Sequence, residues 1–208
     1  MEKLILIQTG QTIWEPESRL DSLSGQPLSD LGQQQINEIS DTLARIEPSI
    51  VYTSTGLAQL QTAEILAPAF DVKIKTDQRL DEIDYGLWQG LTVDEIKRRQ
   101  PSLYKQWVDA PLSVRPPGGE TLEEASQRIV ECFEEILRKE RKPSTVAMVF
   151  RPISLAILRI ALEDRSLDGL WNFVNPDLAW ICYTPQEESP IWTPGEPALR
   201  PAESTDQQ

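Results

Sequence analysis

The chain of 208 residues contains no histidine. That absence removes imidazole as a nucleophile or general base from every mechanism open to the chain. Cysteine is almost as scarce. Cys132 and Cys182 stand alone, without the paired spacing of a disulfide framework or a metal site, and a reducing cytoplasm is the expected home. Basic residues are also in short supply, 20 against 33 acidic for a net charge of −13, so the long-range field repels polyanions and no nucleic-acid partner is expected. Long apolar runs are missing too. The stretch Leu4 to Ile7 ends at Gln8, too short for a signal segment or a membrane span, and no membrane association is expected.

What is present suits one α/β domain with a substantial core. Leu4 to Ile7 reads as a strand buried on both faces, closed by the turn-like Thr9-Gly10. Ser29 caps a helix whose Ile36, Ile39, Leu43 and Ile46 recur at helical spacing. A second strand is predicted over Ile50 to Ser54, a helix over Gly56 to Leu66 and a short strand over Val72 to Ile74. Leu80 to Gly90 reads as a loop-rich segment, with short helices over Val93 to Arg99 and Leu103 to Val108 and an extended Pro111 to Pro117. Thr121 opens an amphipathic helix carrying Leu122, Ile129, Phe133, Ile136 and Leu137 on one face.

Val146 to Phe150 repeats the buried-strand signature, and Pro152 suits the first turn of a helix running to about Leu162. A further strand is predicted over Leu178 to Tyr183, with Ile191 to Thr193 as its pairing candidate. The domain is expected to span residues 1–194. Residues 195–208, rich in Pro, Glu, Ser and Gln, are expected to form a disordered tail. Alternating strands and helices imply a three-layer α/β/α sandwich with a mixed, mostly parallel sheet. Its functional crevice should lie beyond the carboxyl ends of the strands, which points to Gln8-Thr9-Gly10 and Arg151-Pro152.

Ile7-Gln8-Thr9-Gly10-Gln11-Thr12 with Trp14 resembles the Arg-His-Gly-x-Thr signature of the histidine phosphatase superfamily, which includes the phosphoglycerate mutases. Pro27-Leu28-Ser29 with Gly32 is similar to the family's entry to its first helix, and Tyr52-Thr53-Ser54 followed by Gln61-Thr62-Ala63-Glu64 to its next block. Leu80-Asp81-Glu82 through Gly90 resembles the segment bearing the family's acid, and Gly118-Gly119-Glu120-Thr121 a further helix start. The similarity extends over about residues 3–183.

The departures fall on the chemistry. On this resemblance Gln8 and Ala58 stand where the family has phosphate-binding arginines, and Thr9 and Arg151 where it has its two histidines. Only the acid, Glu82, is retained. The resemblance therefore implies a phosphoglycerate-mutase-like domain whose catalytic positions, Gln8, Thr9, Ala58, Glu82 and Arg151, are degenerate, with Gln8, Thr9, Gln11, Glu82 and Arg151 as candidate ligand-binding residues. No cofactor and no metal is expected, and the partner is either a protein or a small-molecule anion.

Three readings follow: a binding or regulatory protein without turnover, a hydrolase using Thr9 or another altered mechanism, and a small-anion sensor gripping through Arg151. Thr9 needs an adjacent base that the sequence does not offer. Arg151 is expected either to anchor an anion or to plug the crevice through an ion pair with Glu82. Cys132 and Arg138 match the Cys-x5-Arg spacing of cysteine phosphatases, but they sit mid-helix beside Glu134 and Glu135, and the match is read as accidental. Asp77, Asp81 and Asp84 read as solvated charges rather than metal ligands, and Trp14 and Trp88 as packing residues or crevice walls.

Overall fold

The computed structural model describes residues 1–22, 25–140, 144–186 and 191–200. Seven strands form one sheet: β1 (Lys3–Gln8), β2 (Ile50–Thr53), β3 (Ile74–Thr76), β4 (Thr145–Phe150), β5 (Leu178–Pro185), β6 (Trp192–Pro194) and β7 (Ala198–Leu199). Their order is β3-β2-β4-β1-β5-β6, with β7 also paired to β5. The first four are mutually parallel, and β5 runs antiparallel to β1. The expected mixed, mostly parallel sheet is observed.

Side chains that alternate along a strand point to opposite faces, so the two apolar runs at the centre feed two cores. Leu4, Leu6, Val146, Met148 and Phe150 pack with α5 (Leu122–Lys139) and α6 (Pro152–Leu162). Ile5, Ile7, Ala147 and Val149 pack with α1 (Asp30–Ala44) and α2 (Leu57–Phe70). Both faces are covered, which is why these strands read as unbroken hydrophobic runs. The remaining helices are α3 (Val93–Arg99), α4 (Pro101–Asp109) and α7 (Leu170–Phe173). None among the described residues is long and apolar enough to cross a membrane.

Several local expectations are corrected. The third strand lies at Ile74–Thr76, since Val72 follows directly on the left-handed Asp71 that ends α2. Pro111–Ser113 makes a 3-10 turn rather than an extended run. The largest correction concerns the segment after residue 194. Ala198 and Leu199 pair with Trp180 and Leu178 on the free edge of β5, because that edge offers backbone partners that composition does not reveal. The tail expected from residue 195 is therefore ordered through Arg200; residues 201–208 lie outside the described residues.

Candidate active site

Parallel pairing sets Gln8 opposite Phe150, so the residues that follow, Thr9 and Arg151, leave the sheet side by side at its centre. The Thr9 amide donates to the Phe150 carbonyl at 2.9 Å, extending the ladder by one bond. Both residues are buried, Thr9 fully and Arg151 to 6 % exposure. The loop beyond Thr9 is held tightly. Gly10 packs against α1 with no room for a Cβ, and the Gln11 carbonyl accepts from the Ser29 amide.

A crevice of about 740 Å³ opens over these strand ends, lined among others by Gln8, Gln11, Glu15, Arg151, Asp177 and Arg200. Arg151 Nη1 donates to Glu15 Oε1 at 2.9 Å and reaches Thr9 Oγ1 at 3.5 Å. Arg200 Nη1 reaches the other Glu15 oxygen at 3.4 Å, and Arg200 Nη2 donates to the Thr9 carbonyl. One carboxylate thus bridges two guanidinium groups. Burial pulls the Arg200 guanidinium below its ordinary value, and Glu15 pulls it back.

Arg200 reaches this place for a topological reason. Strand β7 is antiparallel to β5, which is antiparallel to β1, so β7 runs in the direction of β1 and β4. Its carboxyl end therefore arrives where theirs do.

The expected pair of Arg151 with Glu82 does not form. The Glu82 carboxylate, 2 % exposed, accepts from the Ile153 amide at 2.9 Å, from the Ser154 amide at 2.9 Å and hydroxyl at 2.8 Å, and from its own neighbour Ile83 at 2.8 Å. Helix α6 has no side-chain cap of its own at Arg151, and Glu82 satisfies its first free amides from across the chain. Glu82 is spent on this cap and does not line the crevice. Ala58, buried in the first turn of α2, does not line it either.

Gln8, Gln11 and Arg151 line the crevice, and Thr9 lies fully buried beside Arg151. Gln8 Nε2 donates to the Pro176 carbonyl and Gln11 Oε1 accepts from Ser29. Thr9 Oγ1 has a guanidinium beside it, which has no lone pair to take a proton, and no carboxylate or amine hydrogen-bonded to it among the described residues. Sequence reasoning missed Glu15 and Arg200. Glu15 sits in an irregular stretch with no periodicity, and Arg200 in a segment whose composition reads as tail; the single available signal was the apolar pair Ala198-Leu199 ahead of it.

The acidic trio is structural rather than solvated. Asp77 pairs with Arg79 at 2.8 Å, Asp81 accepts from Thr55, and Asp84 caps the turn at Gly86. No group able to hold a metal occurs among the described residues. Trp88 stacks edge-on to Trp107 in the core. Cys132 is buried mid-helix, and burial together with Asp77 pushes its thiol up to about 12. The thiolate population near neutral pH is then negligible. In a Cys182→Ser background, which removes the half-buried second thiol, Ellman's reagent at about pH 8 should react with the native protein at least ~100-fold more slowly than with the unfolded chain; a fast native Cys132 would reopen the cysteine-phosphatase reading.

A mixed sheet covered on both faces, with a crevice over the ends of two adjacent central strands, is an α/β architecture. The family model of the histidine phosphatase superfamily, branch 1, matches residues 4–193, and the chain belongs to that family. Phosphoserine phosphatase 1 of Hydrogenobacter thermophilus is 30 % identical over 173 residues, covering 83 % of this chain and 82 % of that protein. A bifunctional protein of Mycobacterium tuberculosis is 30 % identical over 180 residues; the match takes in 85 % of this chain and 48 % of that protein. Among solved structures, YhfR of Bacillus stearothermophilus superimposes with a TM-score of 0.83 at 29 % identity, over 95 % of each chain.

Proposed function

We propose that this chain is a binding member of its phosphatase family that does not turn over phosphoesters through a phosphohistidine. The observation that carries the reading is the pair at the strand ends: Thr9 and Arg151 directly follow the paired strands β1 and β4, Arg151 lining the crevice and Thr9 buried beside it, in a chain without histidine. Nucleophilic attack on phosphorus through an imidazole has no residue to perform it. Thr9 lacks a base, and Glu82 is withdrawn into the α6 cap. Gln8 and Ala58 supply no charge to a phosphate where, on the family resemblance, arginines stand. A cytoplasmic setting without a nucleic-acid partner belongs to the same reading, supported by the net charge of −13.

The relative named as a phosphoserine phosphatase favours the competing reading, hydrolysis by an altered route in the same crevice. A panel of phosphomonoesters separates the two. Wild type should show no saturable turnover, and Thr9→Val should leave the background unchanged. The combination Gln8→Arg, Thr9→His, Ala58→Arg and Arg151→His should gain turnover on the retained scaffold. Saturable hydrolysis by wild type that Thr9→Val abolishes would establish the altered enzyme instead.

A further inference from the structure

The two guanidinium groups of the crevice are held by an internal carboxylate. Arg151 and Arg200, with side chains only 7 % and 11 % exposed, contact different oxygens of Glu15 at 2.9 and 3.4 Å. Asp177 lines the same crevice, so two cations face two carboxylates and the site is neutral as it stands. Arg151 Nε is buried without a hydrogen-bond partner among the described residues, and so is Gln8 Oε1. A buried guanidinium nitrogen without an acceptor is costly, and it marks an acceptor that Glu15, engaging one terminal nitrogen alone, does not provide. Glu15, at 26 % side-chain exposure, is the most accessible member of the trio.

We infer that Glu15 is a displaceable internal anion, and that Arg151 with Arg200 forms a two-guanidinium site for a dianionic phosphate or phosphomonoester. Arg200 lies beyond residues 4–193 that match the family, so the second cation is supplied by the segment folded back along β5. A phosphate group presents three oxygens and up to two charges, so it can take over both contacts that Glu15 makes with two oxygens and one charge, with an oxygen and a charge to spare. Glu15 moves outward, toward the solvent it already touches, as the phosphate enters. The occupant follows from these three side chains; that it is held rather than cleaved rests on the function proposed above.

Titration calorimetry with inorganic phosphate above neutral pH tests the site. Glu15→Gln removes the competitor's charge while keeping its shape, and should bind phosphate at least ~10-fold more tightly than wild type. Adding Arg200→Gln to that variant should weaken phosphate binding ~10-fold or more, and Arg151→Gln likewise. The Arg200 arm stands alone if the buried Arg151 variant fails to fold. Acetate should produce no comparable binding. Glu15→Gln with no tightening, an Arg200→Gln background that binds phosphate unchanged, or acetate binding as well as phosphate would each overturn the inference. Phosphomonoester turnover by wild type would instead sink the binding-only function and leave the arginine site intact.

Discussion

Replacing Glu82 by alanine should lower the stability of the fold by roughly 3 kcal/mol or more, read as a shift of the urea midpoint with an unchanged slope. The magnitude follows from what the carboxylate serves. Two backbone amides at the start of α6, those of Ile153 and Ser154, lie in the buried interior and donate to Glu82. Each buried donor left without an acceptor costs about 1–3 kcal/mol. The Ser154 hydroxyl is less affected, because it also contacts the Asp81 carbonyl at 2.9 Å. Against a total stability of about 5–15 kcal/mol for an ordinary domain, this is a large fraction.

Glu82→Gln is the discriminating companion. Its amide can keep one oxygen toward Ser154 and Ile83, but its nitrogen then confronts the Ile153 amide, donor against donor. An intermediate loss of about 1–2 kcal/mol is expected. A Glu82→Ala protein as stable as wild type would return the carboxylate to the free-acid role that the family resemblance suggests.

The second large effect is steric. Gly32, in the first turn of α1, lies so close to the loop after β1 that a Cβ there would fall 2.1 Å from the Gln11 carbonyl oxygen and 2.8 Å from the Gln11 nitrogen. A Cβ on Gly10 would meet the Gly32 carbonyl oxygen at 2.3 Å. Backbone faces backbone in both cases, so no rotamer change relieves the clash. The helix must move away from the loop that positions Thr9. Gly32→Ala should therefore cost about 3 kcal/mol, the upper end of ordinary overpacking. Gly169→Ala is the control: its nearest contact, Asn172 Nδ2 at 3.5 Å, is ordinary, and the change should stay within about 0.5 kcal/mol. Equal denaturation midpoints for the two variants would refute the close approach.

The centre of the sheet was legible in the sequence because strands covered on both faces carry continuous apolar runs, and Leu4 to Ile7 and Val146 to Phe150 are the two such runs that end in polar turns. The strand-end rule therefore points to Gln8-Thr9-Gly10 and Arg151-Pro152 from the sequence, and the pairing of β1 with β4 sets Thr9 and Arg151 side by side. Glu82 was also singled out, for a role the structure does not give it. Its partners are amides of a helix 71 residues away, and no local pattern announces which free amides a remote carboxylate will satisfy. Glu15 was hidden by the irregular stretch that follows Thr12. Arg200 was hidden by composition: proline and glutamate nearby argue for a tail, while an open strand edge elsewhere in the fold decides the outcome.

The placement of Arg200 directly after β7 sets it on a shorter support than Arg151. Arg151 follows a fully buried six-residue strand at the middle of the sheet, and releasing it requires opening the domain as a whole. Arg200 follows a two-residue strand whose Leu199 is 58 % exposed, an edge element of the kind that opens locally at lower cost than a core strand. On the two-guanidinium site inferred above, affinity would scale with the fraction of time this short strand is docked. An edge pairing of two residues would thereby tune the inferred site, and changes along residues 195–200 would reach it without passing through the two cores.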